Sequence, residues 1–199
     1  MGIRRVVVAL LLMTILGQSA YARVENSILW GELQKAASIS EGAGERQLYI
    51  FFDPNCPYCH DLYQSLQPLI GPKQLKIAWI PVGILALSSF GKAAHLLEDK
   101  NPTAALAEAE RNFRHRKGGL TPRRATPAIA AELASNAQLL TVAGGNGVPF
   151  LVYKDRMGRV RIVVGNPPKD ALARIIARMQ ASSDRHKKGE RHKGQTAER

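Results

Sequence analysis

Phe51-Phe52-Asp53-Pro54-Asn55-Cys56-Pro57-Tyr58-Cys59-His60 holds both cysteines of the chain, at C-x-x-C spacing. The apolar run Leu48-Tyr49-Ile50-Phe51-Phe52 reads as a buried strand leading into it. Cys56 to about Ile70 reads as a helix, which Pro68 bends or ends. A cysteine at a helix start meets unpaired backbone N–H groups and the positive end of the helix dipole. Both favour the thiolate, the species that attacks disulfides. Cys56 is therefore the candidate nucleophile. Cys59, one turn on, is placed to close a small disulfide ring with it.

The compartment decides how that pair reads. Arg4 and Arg5 precede an apolar run, Val6 to Leu16, that is short for a membrane span. Ala20-Tyr21-Ala22 has the small-x-small form of a cleavage site. We expect a cleaved signal peptide over 1–22 and a soluble mature chain in an oxidising compartment, most simply a bacterial periplasm. Two cysteines in such a chain could be a staple. A disulfide across two intervening residues closes a very small loop and removes little unfolded-chain entropy. It suits a redox switch better.

The chain has 199 residues, 45% of them hydrophobic, which fits one domain with a modest appendage. Residues 23–45 read as an N-terminal helix and lead-in, with helical spacing from Val24 to Glu41 and Gly42 and Gly44 as the stop. Residues 46–181 form the main domain. Leu75 to Ile80 reads as its second strand. A helical insertion spans about 85–142, with helices over Ser89–Asp99, Pro102 to about Arg116, and Thr126–Leu140. Strands at Phe150–Tyr153 and Val160–Val164 are joined by the hairpin turn Asp155-Arg156-Met157-Gly158, and Pro168–Met179 is the last helix. A C-x-x-C beside a βαβ pattern, in this order, predicts an α/β thioredoxin-like fold with a helical insertion. Residues 182–199 read as a basic, disordered tail.

Gly147-Val148-Pro149-Phe150 places a proline at a strand start, where its missing N–H costs nothing. A cis Val148–Pro149 bond would expose the backbone of Val148 to an extended peptide, which could add to it like a strand. Val148 and Pro149 are therefore candidate substrate-binding residues.

Phe52-Asp53-Pro54-Asn55-Cys56-Pro57-Tyr58-Cys59 closely resembles the active-site segment of the DsbC/DsbG family of periplasmic thiol:disulfide interchange proteins, with Cys-Pro-Tyr-Cys most like the DsbG branch. Trp30, Leu33, Ala36, Ile39 and Gly42 are similar to that family's helix leading into the catalytic domain. The resemblance covers roughly Val24 to Met179. It implies a disulfide isomerase or reductase that acts on protein substrates through Cys56 and Cys59. It also implies a DsbD-like membrane reductase as partner, no cofactor, and reach toward sulfenylated substrate cysteines. Two features depart from the family. Only a short stretch precedes the catalytic core, which points to a monomer without the family's dimerisation domain. Val148 stands where the family usually has Thr, as in DsbA-type oxidases, so a DsbA-like dithiol oxidase served by a DsbB-like partner is the alternative. Pro57, Tyr58 and His60 are the candidates for tuning the redox balance.

A different class of function also fits the letters. Cys56-Pro57-Tyr58-Cys59-His60 matches C-x-x-C-H, the c-type haem attachment motif. A strand leading into the cysteines and an otherwise unexplained Val148-Pro149 loop favour exchange over haem. Zinc would need a fourth ligand that the segment lacks. Chaperone or scaffold function would require dispensable cysteines. Asp53 reads as a turn residue before Pro54, His95 as a helix-surface residue, and Trp30 and Trp79 as packing residues. The formal charge of +12 arises partly from the leader, the tail, and a cluster of Arg111, Arg114, Arg116, Lys117, Arg123 and Arg124. That cluster reads as a solvated basic face able to meet anionic surfaces or acidic substrates, with no nucleic acid expected in the compartment.

Overall fold

A computed structural model of the protein describes residues 26–115 and 118–181. The expected signal peptide and basic tail lie outside the described residues, as do Arg116 and Lys117 of the basic cluster. Among the described residues no helix is long and apolar enough to cross a membrane. The chain divides into two units at Lys35 and Ala36. In the first, residues 26–35 form helix α1, braced by Lys35 Nζ donating to Glu32 Oε1 at 2.8 Å.

The second unit carries β1 (Ile39–Glu41), β2 (Arg46–Phe52), α2 (Pro57–Leu66), β3 (Leu75–Pro81), α3 (Ser89–Glu98), α4 (Pro102–Arg111), α5 (Pro127–Val142), β4 (Phe150–Lys154), β5 (Val160–Val164) and α6 (Lys169–Arg178). The sheet order is β1-β3-β2-β4-β5. β2 pairs parallel with β3 and antiparallel with β4, so the strand that leads into the C-x-x-C turn lies at the centre. Leu48 to Phe52 are all buried, so both faces of the strand are covered, which explains a continuous apolar run instead of an alternating one. Leu48, Ile50 and Phe52 enter the main core with Leu62 and Leu66 of α2, Leu106 of α4 and Leu172 and Ile176 of α6. On the other face Phe51 meets Phe150 edge-on at 6.0 Å.

Caps start the helices where the sequence indicates. Thr126 Oγ1 accepts from Ile129 N ahead of Pro127, and Asn101 Oδ1 accepts from Ala104 N ahead of Pro102. Proline at the first helical position has no N–H to leave unpaired. Pro68 falls in a short 3-10 turn, Gln67–Leu69, that finishes α2.

Two expectations are corrected. The helix expected over Val24–Glu41 stops at residue 35, and Ile39–Glu41 is a strand, antiparallel to β3 with Ile39 opposite Trp79. The period that placed Ile39 on a helical stripe also suits a strand residue facing a core, and sheet pairing decides. Glu41 then accepts from Trp79 Nε1 at 2.9 Å and Gln67 Nε2 at 3.0 Å. Gly42 ends the strand, not a helix. Its φ is +77°, and a Cβ there would stand 2.4 Å from Leu75 O. The helix expected to run to about Arg116 stops at Arg111, because the chain turns back so that Gly119 N donates to Ala109 O at 3.2 Å.

Candidate active site

β2 ends at Phe52, and the turn Asp53-Pro54-Asn55 delivers Cys56 to the N-cap of α2, with Pro57 following as the first helical residue. The Cys56 sulfur accepts from the Cys59 amide at 3.2 Å, as the side chain of a cap should. Its thiol faces the Val148 carbonyl oxygen at 3.6 Å. The Val148–Pro149 peptide bond is cis. Both cysteines are free and each is 2% exposed, whereas Tyr58 between them is 59% exposed.

The two sulfurs differ electrostatically. The hydrogen bond from the Cys59 thiol is the largest influence holding Cys56 below the ordinary thiol range. The amides of Cys59 and Tyr58 add to it, while burial and the Asp53 charge oppose it. Burial pushes Cys59 well above that range, helped by its hydrogen bond to Cys56 and by the charge there. Cys56 is the sulfur poised to ionise, and Cys59 keeps its proton.

Asp53 does more than turn the chain. Oδ1 accepts from Asn55 N at 2.8 Å and Ser89 Oγ at 2.7 Å, and Oδ2 accepts from Ile84 N at 2.8 Å and Leu85 N at 3.0 Å. Asn55 Nδ2 donates to Ser88 Oγ at 3.1 Å and Ser89 Oγ at 2.9 Å. Lys92 Nζ, on α3, donates to Asn55 Oδ1 and Gly118 O, each at 2.7 Å. Asp53, Asn55, Ser89 and Lys92 are all buried. Sequence reading passed over Asn55, Ser89 and Lys92. Nothing in their spacing links them to the cysteines, and a lysine on a helix reads as solvent-facing.

His60, the third candidate for tuning, is half-buried. Its Nδ1 meets Glu110 Oε2 at 2.6 Å, and its ring stacks on Phe113 at 4.4 Å between centroids. Burial raises the Glu110 carboxyl, against the pull of His60. The segment does not fit a haem: both sulfurs lie in the core, and the imidazole is committed to Phe113 and Glu110. His95 Nδ1 lies 2.8 Å from Thr121 O, joining α3 to the segment before α5.

A family model described as a thioredoxin-like domain matches residues 33–180. Over 151 residues the chain is 32% identical to the thiol:disulfide interchange protein DsbG of Pseudomonas aeruginosa, covering 74% of this chain and 58% of that protein. The DsbG of Escherichia coli is 23% identical over 150 residues, covering 74% and 60%. The chain thus spans about three-fifths of the length of the curated relatives it matches. Among solved structures, a periplasmic thioredoxin-like protein from Salmonella enterica superposes with a TM-score of 0.63 at 23% identity, covering 75% of this chain and 94% of that one. The catalytic domain of Proteus mirabilis ScsC gives 0.61 at 21% identity, covering 78% and 96%.

Proposed function

The chain belongs to the thioredoxin-like family, and from that membership we propose that it exchanges thiols and disulfides with protein substrates through Cys56 and Cys59. The observation that carries this reading is the Cys56 sulfur at the cap of α2, accepting from the Cys59 amide and facing Val148 O. The Cys56 thiolate attacks one sulfur of a substrate disulfide. A Cys56–substrate bond forms, the substrate's own S–S bond breaks, and the departing substrate thiolate takes a proton from solvent. A second substrate thiolate then displaces Cys56, which leaves the substrate rearranged and the enzyme reduced. Alternatively Cys59 loses its proton and attacks the Cys56 sulfur: the Cys56–Cys59 bond forms, the Cys56–substrate bond breaks, and the substrate leaves as a second thiolate, reduced by two electrons. Burial raises the proton affinity of the Cys59 thiol, which slows that second route and leaves time for rearrangement, and so supports isomerase over reductase action.

Val148 and Pro149 are the proposed docking point for the substrate backbone, and Pro57, Tyr58 and His60 the proposed tuning residues. In this reading the protein works as a monomer in the periplasm, after removal of residues 1–22, and a DsbD-like membrane reductase keeps the pair reduced. Val148 in place of Thr favours the second reading, a DsbA-like oxidase paired with a DsbB-like partner.

The test is mixed-disulfide trapping. Incubated with a disulfide-bonded protein, the Cys59→Ser variant is expected to accumulate a covalent adduct that reductant releases, and the Cys56→Ser variant to form none. An adduct through Cys59 alone would reverse the roles. Equilibration with glutathione buffers then tests the second reading: a midpoint at the reducing end overturns a disulfide donor, whereas a strongly oxidising one is compatible with either direction.

A further inference from the structure

The polar groups beneath the catalytic turn form a directed chain. Lys92 Nζ donates to Asn55 Oδ1, Asn55 Nδ2 donates to Ser89 Oγ, and Ser89 Oγ donates to Asp53 Oδ1. A cation stands at one end and a carboxylate at the other, with two neutral groups between them. Each bond polarises the next in the same sense. Asp53 is 1% exposed and Lys92 6%, and neither charge would be tolerated there without compensation. Lys92 also holds Gly118 O, and Gly118 lies against the turn itself, where a Cβ would stand 2.0 Å from Pro54 O.

This arrangement meets a difficulty in the exchange chemistry. Asp53 is needed to fix the turn, since its carboxylate receives four hydrogen bonds from the turn, the 84–85 segment and α3. Yet it lies three residues before Cys56, and its negative charge opposes the ionisation of both cysteines. A buried ammonium in the same network offsets that charge without loosening the turn.

We propose that Lys92 is a positioning residue for exchange: it neutralises Asp53 within the buried network and so preserves the Cys56 thiolate at the head of α2. The inference rests on the exchange reading for its use, but not for its test. The other titratable groups around the head of α2 are Tyr58, Cys59, His60 and Asp61 on α2 and Glu110 on α4. The 143–149 segment that carries Val148 has none, and the 112–125 segment carries the exposed Arg114, His115, Arg123 and Arg124.

The ionisation of Cys56 is read by thiolate absorbance against pH in the full mature chain. Lys92→Met is expected to raise the midpoint, cutting the thiolate fraction about tenfold below that midpoint. The reduced dithiol should be correspondingly less favoured against glutathione. Adding Asp53→Asn to Lys92→Met removes the uncompensated charge and is expected to bring the midpoint back toward that of the unsubstituted protein. A residue that merely held the loop would give no such recovery, because the second substitution would loosen the turn further. Absence of recovery therefore overturns the proposal.

Should Lys92→Met fail to fold, Lys92→Gln keeps a donor for Asn55 and must show the same rise. The native protein gives a measurement that needs no substitution. The Lys92 side-chain 15N resonance must shift with the Cys56 titration, and a resonance that stays constant through it overturns the proposal. Failure of the exchange reading looks different: no adduct forms with a disulfide substrate, while the coupling of Lys92 to Cys56 remains measurable.

Discussion

The Cys59 amide donates to the Cys56 sulfur across one helical turn, at 3.2 Å, and the same turn buries the Cys59 thiol. One residue thereby lowers its neighbour's affinity for a proton while its own is raised. The thiolate fraction of Cys56 grows as pH rises through its lowered value. Alkylation of Cys56 should therefore climb and level off before the ordinary thiol range of about 8.5. Iodoacetamide kinetics against pH check this, and a plateau reached only above that range contradicts it. Cys59 in a Cys56→Ala variant should react far more slowly, and only in alkali.

His60 and Glu110 form a second linked pair beside the site. The folded state binds the Glu110 proton more tightly than the unfolded chain does. Its stabilising contribution is thus complete below the unfolded carboxyl value and is lost as pH rises through the folded one. His60→Ala at neutral pH strands that buried carboxylate and removes the stack on Phe113, at a cost of about 3 kcal/mol. The cost should shrink in mild acid, where Glu110 takes up a proton. Denaturant unfolding at two pH values measures it, and equal losses at both would contradict the assignment.

Gly118 has no room for a side chain. A methyl group there would stand 2.0 Å from Pro54 O, so either the 112–125 segment or the catalytic turn must move. Gly118→Ala is expected to cost about 2 kcal/mol and to slow exchange. Gly147→Ala, with nothing within 4 Å of the added atom, should stay within about 0.5 kcal/mol. Thermal unfolding of the two variants side by side distinguishes them.

Asp155 organises the β4–β5 hairpin. Burial pushes its carboxyl up, but the Arg159 amide, the Arg161 and Arg159 guanidinium groups and the Met157 amide together hold it below the usual range. A lowered value gives stability that is present above the unfolded carboxyl value and is lost as pH falls through the folded one. Asp155→Ala should cost about 2 kcal/mol at neutral pH, and the gap from the native protein should close in acid. Urea midpoints across that range test it.

The strand and helix of the candidate site were legible because several local signals coincide there: an apolar run, a cap position, and proline at the first helical residue. The cis Val148–Pro149 bond could be anticipated only from its place before a strand taken together with the C-x-x-C motif. Ile39 was misread because one apolar residue satisfies a helical and a strand period alike, and only its pairing with Trp79 decides. Asp53 read as a turn residue, and it is one. Its partner Ser89, and Lys92, the partner of Asn55, were invisible because 36 residues separate Ser89 from Asp53 and 37 separate Lys92 from Asn55, and no period connects them. The true end of α4 depends on Gly119 folding back onto Ala109, a contact that helix propensity does not encode.

The central strand acquires its two neighbours at very different stages of the chain. β3 follows after a single helix, but β4 arrives only after three more, and 92 residues separate Cys56 from Val148. Contacts across such spans carry a large closure entropy and set the pace of folding. A chain paired only as far as β3 holds the C-x-x-C helix but lacks the Val148 carbonyl that faces Cys56. Until β4 pairs with β2, the Cys56 sulfur has no Val148 carbonyl to face, so the candidate site is complete only when the sheet is.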